Sequence, residues 1–147
     1  MQPSKQLKIV QRVTDDEERR RAESLAARER RVAESQAKLG ELERYHSSYS
    51  DEFARHAALG MDGARMREFQ AFLTRLAEAL RQQGEILERT KAERDLELCD
   101  WRRAAQRADM VDHVVRRRED EERRAAERAE QRESDERSLR RSHRHEQ

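Results

Sequence analysis

The chain has 147 residues, of which 44% are charged and only 34% hydrophobic, with 33 Lys and Arg nearly balanced by 32 Asp and Glu. So little apolar content argues against a conventional layered core. The interspersed signs argue against nucleic-acid binding, which needs an unbalanced basic stripe. One Pro and four Gly among abundant Ala, Glu, Arg and Leu is the balance of long helix, with disorder the competing reading for the most charged stretches.

The single cysteine, Cys99, allows no intramolecular disulfide and fits a reducing compartment. No apolar run approaches the roughly 20 residues that span a bilayer, and Met1 to Val10 lacks the apolar stretch of a secretory signal. The expectation is a cytoplasmic protein without direct membrane insertion, attached to a membrane only through a partner.

Pro3 and Ser4 are placed to start a helix, with Ser as the N-cap. Leu7, Val10 and Val13 follow as a brief apolar stripe, and Thr14 to Ser24 is almost all charge. The stripe resumes with Leu25, Val32, Leu39, Leu42, Tyr49 and Phe53 at heptad-like spacing. Periodicity breaks at Ala57 to Ala64, where Gly60 and the turn-forming pair Asp62-Gly63 predict a turn.

Beyond the turn lies the most regular stretch. Steps of three and four from Met66 reach Phe69, Leu73, Leu76, Leu80, Gln83, Leu87, Thr90, Arg94, Glu97, Trp101, Ala104, Ala108, Val111 and Val115. Eleven of these fifteen positions are apolar. A 3.5-residue repeat held this long keeps a narrow seam toward a partner helix, as in a coiled coil. The predicted fold is all-α: a long antiparallel two-helix coiled-coil hairpin with a charged C-terminal helical overhang. As a single domain over 1–147, it places helices at about 4–57 and 65–136, a turn at about 58–64 and a disordered tail at 137–147.

A turn centred near Met61 pairs Phe53 with Phe69, Tyr49 with Leu73 and Leu42 with Leu80, and sets Val10 against Val111 or Asp112. The middle matches less well, with Leu25 opposite Glu97 and Leu98 and Arg21 opposite Trp101. A cation over the indole or a looser mid-section both fit there.

Catalytic chemistry is not visible. The chain has no phosphate-cradling glycine loop, no Cys/His zinc spacing and no nucleophile elbow. A two-helix pair offers no pocket to shift carboxylate pKa values. Cys99, beside Leu98, reads as a packed inert thiol. His143 and His145 lack a third ligand and read as polar tail rather than metal site. The expectation is no enzyme, no cofactor and no metal.

Leu39-x-x-Leu42-x-x-Tyr45-x-x-x-Tyr49 before a glycine-containing turn, Phe69-Gln70-x-Phe72-Leu73-x-x-Leu76-x-x-Ala79 after it, and later Trp101-Arg102 resemble the FliJ family, the small coiled-coil component of the bacterial flagellar type III export apparatus. Hinge position, length and charge-rich ends agree with it. The resemblance implies a hairpin like the central stalk of rotary ATPases. Its terminal end enters the export ATPase hexamer and favours ring assembly, and a surface nearer the hinge engages the membrane export gate protein. A role in recycling export chaperones is implied as well.

Carried over by position, the gate-facing residues are Leu42, Tyr45, Tyr49, Phe72, Leu76 and Ala79, with Lys38 and Gln83 at the margins. Seam packing accounts equally well for Leu42, Tyr49 and Leu76, whereas Tyr45 and Phe72 fall off the seam and read as docking anchors. Arg12, Arg19, Arg20, Arg21, Arg116, Arg117 and Arg118 are the expected ring contacts, against the alternative of a solvated helix face. A free-standing dimerisation coiled coil and the equivalent injectisome stalk protein are the competing functions. The stalk reading expects a mostly monomeric hairpin, and the scaffold reading expects self-association.

Overall fold

The computed structural model describes residues 3–146, and these form two helices, α1 (Pro3–Ala58) and α2 (Gly63–His145), packed against each other as a helical hairpin. No strand occurs among the described residues.

The turn is tighter than the sequence suggests. The Leu59 amide bonds the Arg55 carbonyl at 3.2 Å and the Gly60 amide the Ala57 carbonyl at 3.3 Å. Gly60 has φ 93°, the left-handed conformation that closes a helix and favours a residue without Cβ. Asp62 then caps α2: its Oδ1 accepts from the Ala64 amide at 3.2 Å and its carbonyl from the Met66 amide at 2.9 Å. Gly63 is already helical, so Asp62 acts as an N-cap and Gly60 carries the reversal.

At the other end, α1 starts at Pro3, and Ser4 is buried inside its first turn rather than standing before it as a cap. Glu122 of α2 supplies the cap. Its carboxylate accepts from the Ser4 amide at 3.2 Å and the Ser4 hydroxyl at 2.7 Å, placing negative charge on the positive end of α1.

The pairing falls into two compact units, residues 20–101 with the turn and residues 1–19 plus 102–147. In the turn unit the Phe53 and Phe69 rings meet at 5.9 Å, as the sequence arithmetic predicts. Leu25, Val32, Leu39, Leu42, Tyr49 and Phe53 of α1 are all half-buried. Between the apolar positions the seam is polar. Gln83 donates to the Ser35 carbonyl (3.1 Å) and hydroxyl (3.0 Å), Arg28 reaches Glu93 (2.7 Å) and Glu97 (3.8 Å), and Arg21 lies 3.7 Å from Asp100.

In the terminal unit the seam positions of α1 are Ser4, Leu7, Gln11 and Thr14, with Gln11 hydrogen-bonded to Asp112. This corrects the expected stripe: Val10 and Val13 are exposed, and Val10 does not pack into the seam against Val111. Opposite them, Ala104, Ala108 and Val115 are buried. All fifteen α2 positions from Met66 to Val115 are buried or half-buried.

α2 continues past the last α1 contact through residues 137–145, where disorder was expected. Every residue from Arg123 to Glu146 is exposed. This stretch carries local ion pairs, Arg137 to Glu133 at 3.3 Å and Arg140 to Glu136 at 4.0 Å, the i,i+4 support an unpacked helix needs.

Candidate functional site

Seam burial fixes the heptad lettering. On α1, position a holds Leu25, Val32, Leu39 and Phe53 and position d holds Arg28, Ser35, Leu42 and Tyr49; on α2, a holds Leu73, Leu80 and Leu87 and d holds Phe69, Leu76 and Gln83. In an antiparallel pair the two g positions share one edge and the two e positions the other. The ion pairs of the terminal unit display this directly. Glu17 and Arg107, both g, meet at 3.2 Å, and Lys8 and Glu119, both e, meet at 3.1 Å.

All eight residues expected to face the export gate fall on d or g. Leu42, Tyr49, Leu76 and Gln83 are d positions, half-buried; Lys38, Tyr45, Phe72 and Ala79 are g positions. The structure therefore gathers them on one edge of the turn unit. Tyr45 is 52% exposed, which suits an anchor. Phe72 is only 37% exposed, because its ring packs edge-on against Tyr49 with centroids 4.8 Å apart. Beside them Tyr49, Glu68, Phe69 and Phe72 line a shallow hollow of about 250 Å³. Gln83 is committed to Ser35 through its side-chain amide.

Sequence reasoning missed Ile86. It occupies the next g position after Ala79 and is 38% exposed, extending the apolar edge. Its signal was the heptad letter alone: an isoleucine one step before seam residue Leu87 reads as seam until the edge is defined.

The arginines expected to meet the ring fall in both units. Arg12, Arg19, Arg116, Arg117 and Arg118 belong to the terminal unit and are exposed, with Arg116 3.6 Å from Asp112 and Arg118 3.7 Å from Glu121. Arg20 and Arg21 belong to the turn unit, where Arg20 is exposed and Arg21 is half-buried beside Asp100. Cys99, expected to be packed, is exposed.

Among the described residues no group of three or more His, Cys, Asp or Glu is placed to hold a metal, and no helix is long and apolar enough to cross a membrane. The perturbed titrations are on the outward face of α2. Arg81 sits 2.6 Å from both Glu78 and Glu85; its hydrogen bond holds the Glu78 carboxyl below the usual range, and Glu78 in turn raises the guanidinium. Both groups are solvent-exposed, so this is a surface clamp rather than a reactive pair. The turn unit thus presents an apolar edge with exposed aromatic surface on an otherwise charged helix pair.

The family model described as "Flagellar FliJ protein" matches residues 3–147. No curated protein and no solved structure matches the chain.

Proposed function

Because the chain belongs to the FliJ family, a component of the flagellar type III export apparatus, we propose that it is a non-enzymatic central stalk that promotes assembly of the export ATPase ring and couples it to the export gate. In this reading the protein is cytoplasmic and associates peripherally with the inner membrane through the apparatus, and it also helps recycle export chaperones. The observation that carries the coupling role is the edge of the turn unit, where Tyr45 stands exposed beside the Tyr49–Phe72 ring pair. Aromatic groups bury much area at little entropic cost, so such an edge on an otherwise charged surface suits a partner protein.

Tyr45 and Phe72 differ in what their loss does. Tyr45→Ala removes an exposed ring and leaves the seam intact, whereas Phe72→Ala also uncovers Tyr49. Gate binding should fall about tenfold for Tyr45→Ala with no change in thermal midpoint. Unaltered binding and motility in the folded double variant would remove the docking role.

The ring role rests on the exposed arginines of the terminal unit, interleaved with acids in a surface able to slip within a ring. The test is the hydrolysis rate and ring assembly of the cognate ATPase with and without this chain at equal subunit ratios. Stimulation that depends on ring formation is expected, weakened by reversing the charges of Arg116, Arg117 and Arg118. Absence of stimulation at any ratio would leave an adaptor for the gate alone.

A further inference from the structure

The terminal unit has two unlike edges. Its e edge is ionic, with Lys8 against Glu119 and Ser4 against Glu122 beside it. Its g edge carries an apolar stretch beside the Glu17–Arg107 bridge. Val10 and Val114 are both g positions, Val13 and Met110 are the adjoining c positions, and Ile9 is the f position beside Val13. All five are exposed: Ile9 57%, Val10 46%, Val13 58%, Met110 67% and Val114 44%. Nothing in the seam requires these residues, which the periodicity of Leu7, Gln11 and Thr14 on α1 and of Ala108, Val111 and Val115 on α2 leaves out. Val10, Val13, Met110 and Val114 together expose on the order of 400 Å² of apolar surface, in the range of patches that are often functional on a soluble chain, with Ile9 at f lying off this edge.

We propose that this edge is a self-association surface, covered in the free protein by the same edge of a second copy. Charge fixes the geometry. The patch ends at the Glu17–Arg107 bridge, which lies across the g edge itself. A two-fold axis parallel to the helices sets α1 of each copy over α2 of the other, at equal height and running antiparallel. Val10 then faces the second copy's Val114, and Val13 its Met110. Glu17 of each copy faces Arg107 of the other, so four charges alternate in sign around the corners of a four-helix arrangement.

Area agrees with this. Two such patches bury at most on the order of 800 Å², the range of weak, transient pairs, so the pair forms and parts with concentration. The near-zero net charge, +1, offers no long-range repulsion against it. The pairing concerns the free chain and does not rest on the export reading. It departs from the mostly monomeric hairpin that the stalk reading expects, so a dimer without ATPase stimulation favours the scaffold function. A ring that takes in one chain must part the pair, and ATPase stimulation is measured separately.

Sedimentation equilibrium of the full chain from low to high micromolar concentration tests the proposal, with circular dichroism confirming helicity. A concentration-dependent monomer–dimer equilibrium is expected, with Met110→Glu and Val13→Glu each weakening it at least about tenfold. Glu17→Arg places four like charges together and also weakens it, while the double exchange Glu17→Arg with Arg107→Glu restores alternation and recovers the dimer. A wild-type monomer at every concentration overturns the proposal, as does a dimer indifferent to Met110→Glu. A dimer that Glu17→Arg leaves unchanged, or that the double exchange fails to recover, overturns it as well.

Discussion

Within the turn unit, two stretches of the same seam are built differently. Near the turn the facing positions are Leu42, Tyr49, Phe53, Phe69, Leu76 and Leu80, with rings in contact. Farther along they include Thr90 and the charged residues Arg21, Arg28, Arg94 and Glu97, which pair with each other or with Asp100, Glu29 and Glu93. Apolar contact is non-directional and stabilises in proportion to area. Half-buried ion pairs give little net stability, because desolvation offsets attraction, but they hold register. Within the turn unit the apolar stabilisation of α2 therefore runs from Leu87 to the turn, and the ionic stretch beyond it holds register.

The comparison breaks most readily at Leu87, which is 4% exposed and borders the ionic stretch. Leu87→Ala should cost about 3 kcal/mol, read from urea unfolding, because the neighbouring polar positions cannot collapse into the space. Phe69→Ala comes next, at about 2 kcal/mol, since the half-buried ring is in contact with Phe53. Gly60→Ala should cost about 1 kcal/mol through its left-handed φ alone; no atom lies within 4 Å of the added Cβ.

The ionic stretch should respond in the opposite sense. Glu97 Oε2 is buried without a hydrogen-bond partner, so Arg28→Met with Glu97→Leu should leave the thermal midpoint unchanged or raise it. A clear loss would show that these pairs are structural supports in their own right. Smallest of all is the surface clamp. The lowered Glu78 pKa adds stability that is present above the ordinary carboxylate range and disappears as pH falls through the lowered value. Because Glu78 is solvent-exposed, Arg81→Ala should flatten that pH dependence only slightly.

The readable parts of the sequence were those where one apolar residue type recurs at one period. Every α2 seam position from Met66 to Val115 is where the repeat puts it, and Phe53 meets Phe69. Val10 and Val13 misled because β-branched residues three apart look like a seam wherever the true seam is polar. Ser4 and Gln11 hold that place by hydrogen bonds to Glu122 and Asp112, which hydropathy does not register. The expected gate residues rest on resemblance; that they share one side follows from geometry, since d and g letters alternate along both helices and coincide there only once the pairing is known.

Composition and period by themselves determined two long helices, a glycine turn and an antiparallel seam, because a 3.5-residue repeat needs a partner helix and the turn supplies one from the same chain. The tertiary structure decided what lies on either side of the seam. It drew Glu122 onto the start of α1, joined Glu17 to Arg107, and left Ile9, Val10, Val13, Met110 and Val114 together at the surface. Edges belong to pairs of helices, and neither strip of sequence contains one until the other lies beside it.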